Sequence, residues 1–195
     1  MRALRLHLKK HPKTHLIFDF DETLFKLLLP WELWMQYVEE KLARIDQNLM
    51  KEYKENRLAW PEMQNQYIHR YKDVAKKIII TGNTEFETKH FQGVEVNKEL
   101  VQFINDATTY VFSLWSSNTK PIIEKVLHEH HLHHIFSHVI TRTDLLYLKP
   151  HHEGFSLIHD GKTPKEDYLL VGNSQTDKAA AKSAGIDFFL VDYFK

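Results

Sequence analysis

HLIFDFDETLF, residues His15–Phe25, places two acids one residue apart at the end of the apolar run Leu16, Ile17, Phe18, Phe20. A run of that length, closed by a Glu-Thr turn, reads as a buried strand. Asp19 and Asp21 at its carboxyl end would repel one another and lose hydration, an arrangement usually kept where a cation or a reaction uses it. The plainer reading is an Asp-rich turn, with Asp21 capping the next segment.

Further runs of the same unalternating kind lie at Tyr110–Ser116, His138–Thr141, Asp167–Val171 and Phe188–Val191, as expected of strands buried on both faces. Helical periods lie between them. NKELVQFINDA has Asn97 as cap and Leu100, Val101, Phe103 and Ile104 on one stripe. TKPIIEKVLHEHH has Thr119 as cap and Pro121 in the first turn, and QTDKAAAKSAG stops at Gly185. Strands alternating with helices imply an α/β fold, a Rossmann-like parallel sheet between helical layers. Ligands of such sheets sit beyond the carboxyl strand ends where the winding reverses, and Asp19 and Asp21 lie at such an end.

The stretch from Lys26 to about Phe91 breaks the alternation. LPWELWMQYVEEKLARIDQNLMKEYKENR reads as one long helix, and EMQNQYIHRYKDVAKK, after Trp60-Pro61, as a second. KKIIITGNTEFETKHFQG reads as a short hairpin around Gly82-Asn83 or an irregular return to the core. The expected organisation is therefore a core of residues 1–25 and 92–195 with a helical cap, 26–91, inserted after the acidic strand.

The other strand ends also carry polar groups. Ser116, Ser117 and Asn118 come after one strand, at a strand-to-helix turn that either seats a phosphate or simply caps the helix. Lys149 precedes Pro150 and is held extended by it, although most lysines are surface groups. Asn173, Ser174 and Asp177 come after DYLLVG, and an acid in a first helical turn is often only a dipole partner.

Composition narrows the classes. Over 195 residues, 43% hydrophobic and 27% charged, the chain suits one folded domain, or one with a sizeable insertion. Its 26 basic and 26 acidic residues cancel, so no global field points to nucleic acid. Zero cysteines exclude disulfides, thiolate zinc and a cysteine nucleophile. MRALRLHLKKHPKTH lacks the apolar core of a signal peptide, and no run reaches the ~18 apolar residues of a membrane helix, so a cytoplasmic protein without membrane contact is expected.

Taken together, these motifs resemble the haloacid dehalogenase-like (HAD) hydrolase superfamily, in particular small phosphatases with a helical cap after the first strand. FDFDETL is similar to the first motif and SSN to the second, with Ser117 as the best-aligned hydroxyl. Lys149-Pro150, with Glu153 and Phe155 after it, is similar to the third, and LLVGNSQTDKAAAKSAGI to the fourth. The similarity runs from His15 to Val191 and includes QGVEV. It implies a Mg²⁺-dependent phosphatase acting on a small phosphorylated metabolite. Asp19 would be the nucleophile that forms an aspartyl-phosphate, and Asp21 the acid and then the base. Ser117, Asn118 and Lys149 would hold the phosphoryl group, with Thr23 in support. Asp19, the Asp21 carbonyl, Asn173 and Asp177 would surround the metal. Within the superfamily, Asp21 points to phosphate esters, because dehalogenases and pump ATPases lack an acid there.

The resemblance has one departure, Asn173 where relatives usually carry aspartate, so weaker Mg²⁺ binding is expected. The rival from another class is a phosphate- or partner-binding protein that kept the fold and lost turnover. A phosphomutase is a further variant, which needs the intermediate to survive water. Sugar phosphates, phosphoglycolate, nucleotides and phosphorylated amino acids all fit such a lid. HEHHLHH puts His130 and His134 at helical i, i+4 spacing, yet histidines closing a helix suit its dipole better than a metal. Trp31, Trp34, Trp60, Tyr67 and Tyr71 are expected to pack the cap, with one or two facing the cleft. Lys26 meets either an anionic substrate or solvent.

Overall fold

In the structure, a computed structural model that describes residues 1–56 and 59–194, the opening run becomes a strand in which Leu16, Ile17 and Phe18 are buried and His15 is half-buried. In chain order the elements are α1 (Arg2–Lys10), β1 (His15–Phe18), β2 (Phe25–Leu27), α2 (Trp31–Ala43), α3 (Gln47–Asn56) and α4 (Trp60–His90). Next come β3 (Val94–Val96), α5 (Lys98–Asp106), β4 (Val111–Trp115), α6 (Lys120–Glu129) and β5 (Phe136–Ile140). The chain ends with α7 (Glu153–Ile158), β6 (Tyr168–Gly172), α8 (Gln175–Ala184) and β7 (Asp187–Leu190).

Five strands form a parallel sheet in the order β5-β4-β1-β6-β7. Side chains of a strand alternate between faces, and both faces here are covered. Leu16, Phe18, Leu169 and Val171 meet α1, α5 and α6 on one side. Ile17, Tyr168 and Leu170 meet α7 and α8 on the other. The winding reverses at β1, which has β4 on one flank and β6 on the other, so a crevice opens beside Asp19.

A second, antiparallel pair, β2 with β3, matches Phe25 to Val96 and Leu27 to Val94. Leu28 N–H donates to the Gly93 carbonyl at 2.9 Å, and Gln92 N–H donates to the Leu28 carbonyl at 3.1 Å. The whole helical insertion therefore leaves and returns through one neck. Its helices bury their own apolar cluster around Trp34, Val38, Leu42, Met63, Tyr67 and Ile79.

Three local expectations are corrected. The long helix of LPWELW…KENR is two, α2 and α3, broken at Arg44–Asp46, and its last residue, Arg57, lies outside the described residues. Asp46 causes the break: its carboxylate accepts Leu49 N–H at 2.9 Å and the Tyr71 hydroxyl at 2.6 Å, starting a new helix. Neither a hairpin nor an irregular return forms at Gly82-Asn83, because α4, kinked at Lys72, continues to His90. Gly82 lets Tyr37 lie 3.0 Å from where a Cβ would stand, and the Asn83 side chain bonds back to the Ile79 carbonyl within the helix. Thr119 takes the cap position of α6, but its hydroxyl donates to Glu87 instead of capping.

The remaining termini behave as their residues require. Asn97 accepts Leu100 N–H at 3.2 Å, and Gly185 ends α8 with φ 75°, which costs glycine nothing. His131 closes α6 with φ 57° while Leu132 N–H reaches the Leu127 carbonyl at 2.8 Å. The histidine run is thus the end of that helix, His128 stacking on His133. Among the described residues, no helix is long and apolar enough to cross a membrane.

Candidate active site

Pairing of the strands continues to the edge of the crevice. Asp19 N–H donates to the Val171 carbonyl at 2.9 Å, and Ser116 N–H donates to the Ile140 carbonyl at 2.9 Å. Asp19 and Ser116 are therefore held by the sheet itself. After Asp19 the chain folds tightly, with Leu24 and Phe25 N–H both on the Phe20 carbonyl and Glu22 at φ 56°. That turn aims Asp19, Asp21, Glu22 and Thr23 into one region.

At its centre lies Lys149, almost wholly buried. Its Nζ donates to Asp19 Oδ1 and to Asp177 Oδ1, each at 2.6 Å. Burial alone would lower the lysine pKa, but the Asp177 and Asp19 charges outweigh that and raise it. Asp177 Oδ2 accepts Ser174 N–H at 3.1 Å and Ser174 Oγ at 2.5 Å, while Asp177 N–H donates to Ser174 Oγ at 3.0 Å. This reciprocal box starts α8 and fixes the acid. Gly172 makes room for it: a Cβ there would stand 2.7 Å from Asp177 Cγ.

The other oxygen of Asp19, Oδ2, accepts the Thr23 hydroxyl at 3.2 Å, and Asn173 Oδ1 lies 3.4 Å from the same hydroxyl. Asn173 Nδ2 donates to Glu22 Oε2 at 3.1 Å, which turns the amide oxygen toward Asp19 and Thr23. Burial, then Asp177, push the Asp19 carboxyl up against the pull of Lys149. Burial also raises Asp21 to about 7, with Asp19 and Glu22 adding to it, although Leu27 N–H donates to its Oδ1 at 2.8 Å. A carboxyl that titrates near 7 can give and take a proton under ordinary conditions.

On the β4 side, Ser116 Oγ donates to Asn118 Oδ1 at 3.0 Å and Asn118 Nδ2 donates to Glu87 at 3.4 Å. The Asn118 side chain is thus engaged within the protein, and Ser117 carries the half-buried hydroxyl of this turn. Glu87, a buried acid of α4, also accepts Thr119 N–H at 3.1 Å, tying the helical insertion to the turn.

A cleft of about 390 Å³ joins these groups. Asp19, Asp21, Ser117, Asn118, Lys149 and Asp177 all line it, and Thr23 and Asn173 stand directly behind. Trp31, Trp34 and Trp60 wall it from the insertion, whereas Tyr67 and Tyr71 bond Asp46 instead. Lys26 lies on the β2–β3 pair opposite Glu95. Reading the sequence missed Glu22 and Arg142, which also line the cleft. Arg142 comes just after β5, so inspecting every strand end would have found it; nothing local marks Glu87.

The donors suit Mg²⁺. Asp19 Oδ2 and Asn173 Oδ1 share one hydroxyl neighbour and Glu22 lies beside them, an all-oxygen set of the hard kind. Both Asp177 oxygens are engaged by Lys149 and Ser174. Among the described residues no three carboxylates or imidazoles converge as a metal cluster, so the amide and main-chain oxygens matter here.

A family model described as haloacid dehalogenase-like hydrolase matches residues 16–191. Among solved structures, CbbY from Rhodobacter sphaeroides, in complex with phosphate, superposes with a TM-score of 0.61 at 18% identity, over 93% of this chain and 87% of that one. A HAD phosphatase from Thermococcus onnurineus gives 0.52 at 20% identity, over 92% and 86%. YfnB of Bacillus subtilis, described as a HAD-hydrolase and bound to magnesium, gives 0.52 at 17%, over 90% and 85%. These identities bear on the fold alone. No curated protein sequence matches the chain.

Proposed function

The chain belongs to the haloacid dehalogenase-like hydrolases, and from that premise we propose that it is a Mg²⁺-dependent phosphatase acting on a small phosphorylated metabolite. The observation that carries the reading is Lys149 Nζ, 2.6 Å from both Asp19 and Asp177 in a cleft lined by Ser117 and Asp21. Asp19, Asn173 and the Asp21 carbonyl would hold Mg²⁺, while Asp177 acts one step away by fixing Lys149. When bound, the ion neutralises charge between the nucleophile and the phosphoryl dianion.

The residues divide the remaining work. Lys149 holds Asp19 Oδ1 and Thr23 orients Oδ2, so the carboxylate presents a fixed oxygen to phosphorus. The Asp19–phosphorus bond forms as the bond to the leaving oxygen breaks, and protonated Asp21 gives that oxygen its proton. Asp21 then accepts a proton from the water that attacks the aspartyl-phosphate, releasing phosphate and restoring Asp19. Ser117 and Lys149 support the non-bridging oxygens. The helical insertion acts as a cap, since its tryptophans face the phosphoryl seat and one neck joins it to the core.

Turnover of acetyl phosphate and p-nitrophenyl phosphate with Mg²⁺, abolished in Asp19→Asn, is the expected result. Phosphate binding without Asp19-dependent turnover would replace this reading with that of a binding protein, for which Asn173 is the supporting feature.

A further inference from the structure

Arg142 has no task in the proposed reaction, yet it lines the same cleft. Its side chain is almost fully buried, 6% exposed as a residue, and its guanidinium is fixed on three sides. Nε donates to the Ser117 carbonyl at 2.6 Å, Nη1 donates to Gln64 Oε1 at 2.6 Å, and the Trp34 ring centre lies 5.7 Å from Cζ. All three partners are neutral. Among the described residues no carboxylate lies within 4.0 Å of this guanidinium, whereas the other buried cation of the cleft, Lys149, touches two. Glu87, the acid whose charge reaches Arg142, is already bonded to Thr119 and Asn118.

A buried cation with no acid in contact, Glu87 acting on it only from a distance, is costly, and removing such a charge is usually favourable unless something supplies a closer partner. Two neutral acceptors lock the plane of the fork, so its remaining N–H groups form a preorganised, planar donor set. That geometry matches an oxyanion bound through two oxygens. The phosphoryl group under attack already has Ser117 and Lys149. We propose that Arg142 is a specificity residue that binds a second oxyanion, a carboxylate or another phosphate, on the leaving part of the substrate. Trp31, Trp34, Met35, Trp60 and Pro61 supply the apolar wall around the linking atoms. The inference rests on the phosphatase reading only for the position of the phosphoryl seat. Preferred substrates then carry two anionic ends, and esters of neutral alcohols are poor ones.

The test is calorimetric binding of three non-hydrolysable phosphonates with Mg²⁺ present: ethylphosphonate, 3-phosphonopropionate and propane-1,3-diphosphonate. The expected result is that one or both doubly anionic probes bind roughly 30-fold or more tighter than ethylphosphonate, and which of them does so names the second group. In Arg142→Gln that advantage falls to about threefold or less. Gln64→Glu keeps the arginine but gives Nη1 a carboxylate, so the same selective loss is expected without removal of a buried side chain. Circular dichroism and melting establish that each variant is folded. Equal affinity for all three probes, or uniform weakening of all three in the variants, overturns the inference even if turnover is intact. Selective binding without Asp19-dependent turnover overturns the hydrolase reading and leaves this one standing. No binding of any probe overturns both.

Discussion

Replacing Lys149 with methionine would remove a positive charge from between two buried carboxylates while nearly preserving the volume of the side-chain stem. In the parent, Asp19 and Asp177 are 7% and 2% exposed, and each accepts a hydrogen bond of 2.6 Å from the ammonium. Deleting one partner of a buried pair costs about 3–5 kcal/mol, and here two acids lose the same partner, so the upper part of that range applies. Protonation limits the cost, since each pH unit below a carboxyl's pKa offsets ~1.4 kcal/mol. The Asp19 pKa already lies above the ordinary carboxylate value, because of burial and Asp177, and it rises further without Lys149. A group whose folded pKa is raised favours the folded state most below its unfolded pKa, and that advantage fades as pH rises through the folded pKa. The deficit of the variant is therefore largest near pH 8 and smallest near pH 5. For a chain of 195 residues it corresponds to a fall in melting temperature of roughly 8–20 °C at pH 8. Calorimetric melting in EDTA at both pH values measures this, and added Mg²⁺ recovers part of the loss at pH 8. Melting within about 2 °C of the parent at both pH values, or a deficit that grows on acidification, would refute the convergence of these three side chains.

Asp21→Asn should lower kcat by roughly 10²–10⁴. Because burial raises Asp21 to about 7, turnover of alkyl phosphates by the parent should decline as pH rises through about 7, whereas p-nitrophenyl phosphate, with its better leaving group, should decline less; identical profiles would remove the acid role. Asn173→Asp adds a negative charge beside Glu22, and Glu22→Gln removes one, so Mg²⁺ affinity by titration calorimetry should rise roughly tenfold in the first and fall roughly tenfold in the second. Unchanged affinities would mean that neither residue faces the ion. Gly172→Ala puts a methyl 2.7 Å from Asp177 Cγ, which Ser174 and Lys149 hold in place. It should cost about 1–3 kcal/mol of stability in urea unfolding and depress kcat, and a neutral outcome would show that the α8 box yields easily.

Much of the core could be read directly, for identifiable reasons. A strand covered on both faces needs an apolar run; LIF and YLLVG are such runs, and VFSLW is interrupted by Ser113, whose hydroxyl lies 3.1 Å from that of Ser137. Gly185 and Pro121 mark helix ends through their own backbone chemistry, and Asn97 through its short side-chain acceptor. The failures share a cause as well. Gly82 and Asn83 are turn formers by local preference, yet packing against Tyr37 and a bond back to Ile79 hold them in α4. Asp46 looks like any polar residue of a long helix until Tyr71, 25 positions later, donates to it. α1 is marked only by Leu4 and Leu8, one helical turn apart in a basic stretch, and they find their purpose against the sheet.

Taken alone, the amino-acid order determined the alternation of strands and helices, the polar groups at the strand ends and the interruption after the first strand, because these rest on residue type and near-neighbour spacing. Tertiary structure alone decided how those groups engage one another. Lys149 bridges acids 130 and 28 positions away, and Asn173 turns its oxygen inward because Glu22, 151 positions earlier, takes its amide N–H. Arg142 is left buried among neutral partners for the same reason: burial and charge pairing belong to the folded surroundings, which no local stretch of chain contains.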